Sequence, residues 1–229
     1  MRAVLRRLRK AYPEARTALH FTSPWELLVA TILSAQTTDA QVNEVTPELF
    51  RRWPGPEELA NADEREVVQV IFATGFHNAK ARSIMGTARA VAARGGNVPR
   101  RMEQMVQLPG VGRKTASVVL GNAFGSHQGI AVDTHVGRLV RRLGFTSEED
   151  PVKVERVLLQ LVPRPSWTLF THLFIAHGRA ICTARSPRCE ACFLLSLCPY
   201  GQERLGIRQG RSARAPEASP ASAGSPASG

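Results

Sequence analysis

Leu108-Pro109-Gly110-Val111-Gly112-Arg113-Lys114 is a tight turn opening into an apolar run, and Val132-Asp133-Thr134-His135 follows it. The turn joins a short helix, about 101–107, to a helix that begins near Arg113. Glycines accept positive φ and close backbone approach, so Gly110, Val111 and Gly112 can turn amides toward a phosphate. The helix behind them adds the positive end of its dipole. Lys114 falls in that helix's first turn, where the dipole disfavours a further positive charge. Partial burial would act the same way, lowering the lysine's pKa and raising the free-amine fraction that can attack. Asp133 supplies a carboxylate that the fold can return to the lysine, and its position also suits a helix N-cap. Lysine nucleophile, carboxylate and phosphate grip together point to chemistry on a nucleic acid.

Composition agrees. The chain has 229 residues, enough for one large core or two modest ones, and 43% of them are hydrophobic. Its formal charge is +11, mostly arginine, which favours a polyanionic partner because each neutralised phosphate releases condensed counterions. No apolar run reaches the roughly 20 residues of a membrane span; the longest, Trp25 to Leu33, is broken by Glu26 and Thr31. The Arg-rich start, Met1 to Lys10, lacks the apolar core of a secretory signal. Val4, Leu5, Leu8 and Tyr12 fall on one helical face there, which favours a docked first helix over a transit peptide. We therefore expect no membrane partner.

Helical signals run the length of the chain, with no convincing strand. Ser23-Pro24-Trp25-Glu26 is a capping box with proline at the first helical position, opening a helix to about Ala35. Thr38 to Gln41 starts another, which Pro47 should kink or restart. Asp63 to Glu66 opens a third, and a fourth is expected over about 78–94, stopped by Gly95-Gly96. Beyond the central turn, helices are expected over 115–124, from Asp133 to Leu143, over 151–161 and over 166–177. From Arg208 onward Ala, Ser, Pro and Gly dominate, so 208–229 is read as a disordered tail.

All four cysteines lie close together, Cys182-x6-Cys189-x2-Cys192-x5-Cys198. A disulfide framework would close long loops, which this arrangement does not. Clustering of this kind indicates a metal or iron–sulfur centre in a reducing compartment. Structural zinc takes pairs two to four residues apart, which the wide gaps fit poorly; a four-thiolate cubane is compatible. Arg179, Arg185 and Arg188 surround the loop. His172 and His177, five apart, do not share a helix face and make no metal pair.

The turn resembles a helix-hairpin-helix motif, a binder of DNA backbone. Over about residues 3–202 the chain resembles endonuclease III, a bifunctional DNA glycosylase and abasic-site lyase of that superfamily. The resemblance is carried by residues 27–39 (Leu-Leu-Val-Ala-Thr-Ile-Leu-Ser-Ala-Gln-Thr-Thr-Asp), Gly75 to Lys80, Leu108 to Ala116, Ala131 to His135 and the cysteine spacing. It implies an all-α fold of two helical domains flanking a DNA cleft. One would be a six-helix domain, 23–130, with the helix-hairpin-helix at about 101–124. The other, the iron–sulfur cluster domain, would join 1–22 to 131–202. The resemblance further implies a [4Fe–4S] cluster on Cys182, Cys189, Cys192 and Cys198, with Lys114 the nucleophile and Asp133 its activating carboxylate. Gln36 matches the residue that fills the gap left by an extruded nucleotide, and Lys80 and Arg113 join the DNA-binding set. Phe76 stands where a leucine often wedges into the stack, a departure, since an aromatic can stack on the orphaned base. The implied activity is base excision repair: removal of oxidised pyrimidines through a lysine Schiff base and β-elimination 3′ to the abasic site. The implied partner is double-stranded DNA carrying damaged bases or abasic sites, met by a monomer in the cytoplasm, at the nucleoid of a bacterium.

Two rival readings are weaker. An adenine-mismatch glycosylase of the same superfamily would normally lack a lysine at position 114 and carry a glutamate near Gln36. A non-catalytic iron–sulfur DNA-binding module has no use for both Lys114 and Asp133.

Overall fold

Side chains that can accept a backbone N–H stand where most of the long helices begin. Ser23 caps α2 (Pro24–Leu33), accepting the Glu26 N–H at 3.2 Å, and the Glu26 carboxylate reaches back to the Thr22 N–H. Thr38 caps α3 (Asp39–Arg52) and Asp63 caps α5 (Glu64–Ile71) in the same way. The computed structural model describes residues 1–207, so the tail expected over 208–229 lies outside the described residues. Among the described residues every regular element is helical, and none is long and apolar enough to cross a membrane.

α1 (Arg2–Ala11) comes first, with Val4, Leu5 and Leu8 buried along one face. After α2 and α3 come α4 (Pro56–Ala60), α5, α6 (His77–Ala92), α7 (Met102–Met105) and α8 (Arg113–Phe124). The rest are α9 (Thr134–Arg142), α10 (Pro151–Leu161), α11 (Trp167–Ala180) and α12 (Pro199–Arg204). Two details differ from the sequence expectation. α3 runs on through Pro47 rather than restarting there: the proline removes one backbone donor, and the buried Val42, Val45 and Leu49 hold the turns on either side. Residues 23–130 hold seven α-helices rather than six, the addition being the single turn α4, which starts on Gly55 with Pro56 inside it.

Two hydrophobic clusters divide the molecule. The first centres on α2, buried on nearly all sides from Trp25 to Leu33, with α3, α6 and α8 packed on it and α5 on α3 and α6. A helix without a polar face can only be a core helix, and each leucine buried there contributes roughly 1.5–3 kcal/mol. The second cluster gathers Val4, Leu5 and Leu8 of α1 with α9, α10 and the stacked Phe170 and Phe174 of α11. Leu19 joins the first cluster and Ile130 the second, so the chain changes cluster slightly before both expected boundaries.

α8 and α11 meet where the clusters touch: His172 Nε2 lies 2.8 Å from Asn122 Oδ1, and Thr171 donates to the Ala131 carbonyl at 3.2 Å. At another edge Arg179 of α11 pairs with Asp39 at the start of α3, 3.0 Å apart.

Candidate active site

The hairpin is built on its own core contacts. Leu108 and Val111 are buried, the Val111 N–H donates to the Leu108 carbonyl at 3.1 Å, and Thr87 of α6 donates to the Pro109 carbonyl at 2.6 Å. Gly110 sits at φ +73, and a Cβ there would stand 2.7 Å from Ser83 Cβ. Gly112 is different: φ is −86 and a Cβ would meet nothing within 4 Å. Only Gly110 is therefore demanded by the turn, while Gly112 leaves its outer face bare. Val111, expected in the phosphate grip, is instead the turn's anchor, since its side chain and amide are both committed inward.

α2, α3, α5, α9 and α10 each start with a capping side chain, but α8 starts on Gly112 and has none. Its first-turn amides are left for an outside acceptor at the positive end of the helix. Lys114 stands in that turn with its side chain exposed, so the expected partial burial is not found. Asp133 is the N-cap of α9, its Oδ1 accepting the Val136 N–H at 2.8 Å. The charges of both are felt at His135. Burial holds that imidazole below its ordinary value; Asp133 pulls it up, and Arg138, Arg179 and Lys114 push it down. One carboxylate and three cations thus act electrostatically on one ring, and Arg138 touches it, 3.1 Å from Nδ1. Arg113, expected to face phosphate, stays half-exposed but commits its Nε inward, donating to Glu155 Oε2 of α10 at 2.5 Å.

Gln36 and Phe76 are the two non-glycine residues at positive φ among the described residues, +54 and +48. Such backbones cost on the order of 1–3 kcal/mol and gather at ligand-handling loops. Both are exposed, Gln36 between α2 and α3, and Phe76, 65% exposed, ahead of α6. Phe72, 63% exposed and stacked on His77 at 4.5 Å, widens this apolar tip. Lys80 is not on the surface, as the expected DNA contact requires. It is 5% exposed, its Nζ donates to the Thr74 carbonyl at 2.7 Å, and burial pulls its pKa down. It buttresses the turn that raises Phe76.

The four cysteines line one cavity with Leu139, Leu143, Ile181 and Leu194. Polar donors face the sulfurs: Arg142 reaches Cys182 Sγ at 3.2 Å, and the Gly201 N–H reaches Cys198 Sγ at 3.4 Å. The buried His177 takes the Tyr12 hydroxyl at Nδ1, 3.1 Å away, leaving Nε2 to Cys192 Sγ at 3.4 Å; burial pushes its pKa down to about 4. Burial, reinforced by the charges of neighbouring thiols, raises the thiols of Cys189, Cys192 and Cys198. Thiolates packed this way need cationic charge between them, which suits a metal–sulfur centre. Arg138 and Arg142, one turn apart on α9, also hold the carbonyls of Cys182, Thr183 and Ala184. The helix that presents Asp133 is therefore braced by the cysteine loop. Those arginines, Glu155 and His177 were missed in the sequence; the i, i+4 arginine pair was the one visible signal.

The model of the HhH-GPD superfamily base excision DNA repair proteins matches residues 29–164, and that of the iron–sulfur binding domain of endonuclease III matches 182–198. The chain is 50% identical over 196 residues to endonuclease III of Synechocystis sp., covering 85% of this chain and 90% of that protein. The chain belongs to the endonuclease III family. Among solved structures it is similar to a non-covalent endonuclease III–DNA complex, with a TM-score of 0.84 and 40% identity, covering 90% of this chain and 96% of that one. A trapped endonuclease III–DNA covalent intermediate, the estranged-adenine complex, gives 0.84 and 41%, covering 89% and 96%. As a member of the endonuclease III family the chain is a base excision repair DNA glycosylase whose loop 182–198 carries a [4Fe–4S] cluster.

Proposed function

We propose that this glycosylase removes oxidised pyrimidines from double-stranded DNA and cleaves the strand at the resulting abasic site. The uncapped start of α8, with the exposed Lys114 in its first turn, and Asp133 held as the cap of α9 carry the reading. The bodies 23–130 and 1–22 with 131–202 flank the DNA. Backbone phosphate lies against Gly110, Gly112 and the α8 amides. Gln36 fills the space of the extruded nucleotide while Phe76 enters the stack opposite. Unstacking costs a few kcal/mol, least for poorly stacked lesions, which is one source of selectivity.

Asp133 stabilises positive charge on the sugar as the glycosidic bond breaks and the base leaves with the bonding pair. The neutral Lys114 amine attacks C1′ and gives up one proton; O4′ takes up a proton as the C1′–O4′ bond breaks and the ring opens, leaving a protonated Schiff base that keeps the other N–H. That imine acidifies the C2′ proton; its removal sends an electron pair into a new C2′–C3′ double bond and breaks C3′–O3′. Water then releases the lysine. Cys182, Cys189, Cys192 and Cys198 would hold the cluster, which would tie their loop into one unit against α9.

Lys114→Gln should abolish strand cleavage and the borohydride-trapped covalent complex, because an amide forms no Schiff base, while binding to an abasic-analogue duplex persists. A trapped complex with Lys114→Gln would overturn the assignment.

A further inference from the structure

Glu155 is a buried carboxylate, 5% exposed, that leaves the second cluster to reach the junction between the two. Its Oε2 accepts from Arg113 Nε at 2.5 Å and its Oε1 from the Ile130 N–H at 3.1 Å. Arg113 immediately precedes Lys114, and Ile130 lies on the segment that runs into Asp133. Gly129 is wedged against the same carboxylate: a Cβ there would stand 2.6 Å from Glu155 Oε1 and 2.6 Å from Ser117 Oγ. One side chain on α10 thus grips both the segment that delivers the lysine and the segment that delivers the aspartate.

We infer that Glu155 is a positioning residue that sets the distance between Lys114 and Asp133, a proposal resting on their roles as nucleophile and activating carboxylate. The inward turn of Arg113 Nε makes sense when the start of α8 must be registered against the chain leading to α9. Placement errors of about 1 Å cost on the order of 100-fold in rate, and here a single side chain bonds both segments.

The test is a single-turnover comparison of holo-protein variants at saturating enzyme. The readouts are the borohydride-trapping rate on a pre-formed abasic site, the base-excision rate on a thymine glycol duplex, and the Kd for an abasic analogue. Glu155→Gln keeps an acceptor for the Ile130 N–H but loses the charge that holds Arg113. Arg113→Ala breaks the same bond from the half-exposed side and guards against a Glu155 variant that fails to fold. Both should slow base excision and trapping by about 10- to 100-fold, with the Kd within about 2-fold and the cluster absorbance near 400 nm unchanged. The double variant should be no slower than the worse single one. Arg113→Ala with wild-type saturating rates and a weaker Kd would make Arg113 a phosphate contact and overturn the proposal. Wild-type rates in a folded Glu155→Gln protein would overturn it as well. Lys114→Gln, run alongside, separates the two failures: if it still traps, the underlying assignment of the lysine is wrong, whatever Glu155 does.

Discussion

Alanine at the two hairpin glycines should have opposite consequences. At Gly110, φ +73 places an L residue in the left-handed region, costing roughly 1–2 kcal/mol. The new Cβ also meets Ser83 Cβ at 2.7 Å; this atom is fixed to the α6 backbone, so the helix must shift, adding roughly 1–3 kcal/mol of overpacking. Gly110→Ala should therefore lose about 2–5 kcal/mol, or roughly 4–20 °C of melting temperature for a chain of this size. Gly112→Ala has an extended backbone and open space, so its melting temperature should stay close to wild type. Its methyl group occupies the face that phosphate approaches, and affinity should fall about 10-fold, near 1.4 kcal/mol, on damaged and undamaged duplexes alike. Thermal melts of the holo-protein and titrations across a salt series measure both. Equal melting temperatures for the two variants would refute the steric argument. A Gly112→Ala protein that changed lesion preference but kept its affinity would refute the backbone grip.

Asp133→Asn should lower base excision by roughly 10²- to 10⁴-fold, with a smaller loss on pre-formed abasic sites, measured by single-turnover kinetics; its stability should barely move because asparagine also caps well. Cys192→Ser should lose the absorbance near 400 nm and loosen the loop 182–198, checked by iron content and proteolysis, since metal binding and local folding are coupled. Burial lowers the pKa of His172 below its ordinary 6.5, Asp39 opposing weakly. The unfolded chain therefore binds the extra proton first, and stability should fall as pH drops below about 6.5 toward the folded value. His172→Gln keeps a partner for Asn122 and should flatten that slope in urea titrations at pH 5 and 7.5.

Helix starts were legible because caps are local chemistry: Ser23, Thr38, Asp63 and Asp133 each precede the helix they open. α4 was missed because a five-residue helix shows no period. What the sequence hid was long-range. In a chain of charge +11 a lysine reads as surface, yet Lys80 is spent under a turn. Arg113 is matched by Glu155, forty-two positions away. The left-handed backbones of Gln36 and Phe76 had no marker at all, since neither residue type favours them.

The position of α1 bears on how the protein is assembled as it is synthesised. Arg7 donates at 2.8 Å to the Phe193 carbonyl and at 2.8 Å to Ser196, and Arg9 donates to Ser166 at 2.7 Å. These partners leave the ribosome more than 150 residues after α1, a delay of about 10–40 s at 5–20 residues per second. Meanwhile the cluster built on α2 holds all its own parts and is free to close. The amphipathic α1 must wait with Val4, Leu5 and Leu8 uncovered until α11 and the cysteine loop arrive. Cys198, the last of the four ligands, is made only after α11, so cluster assembly can only follow the arrival of the helix that covers α1.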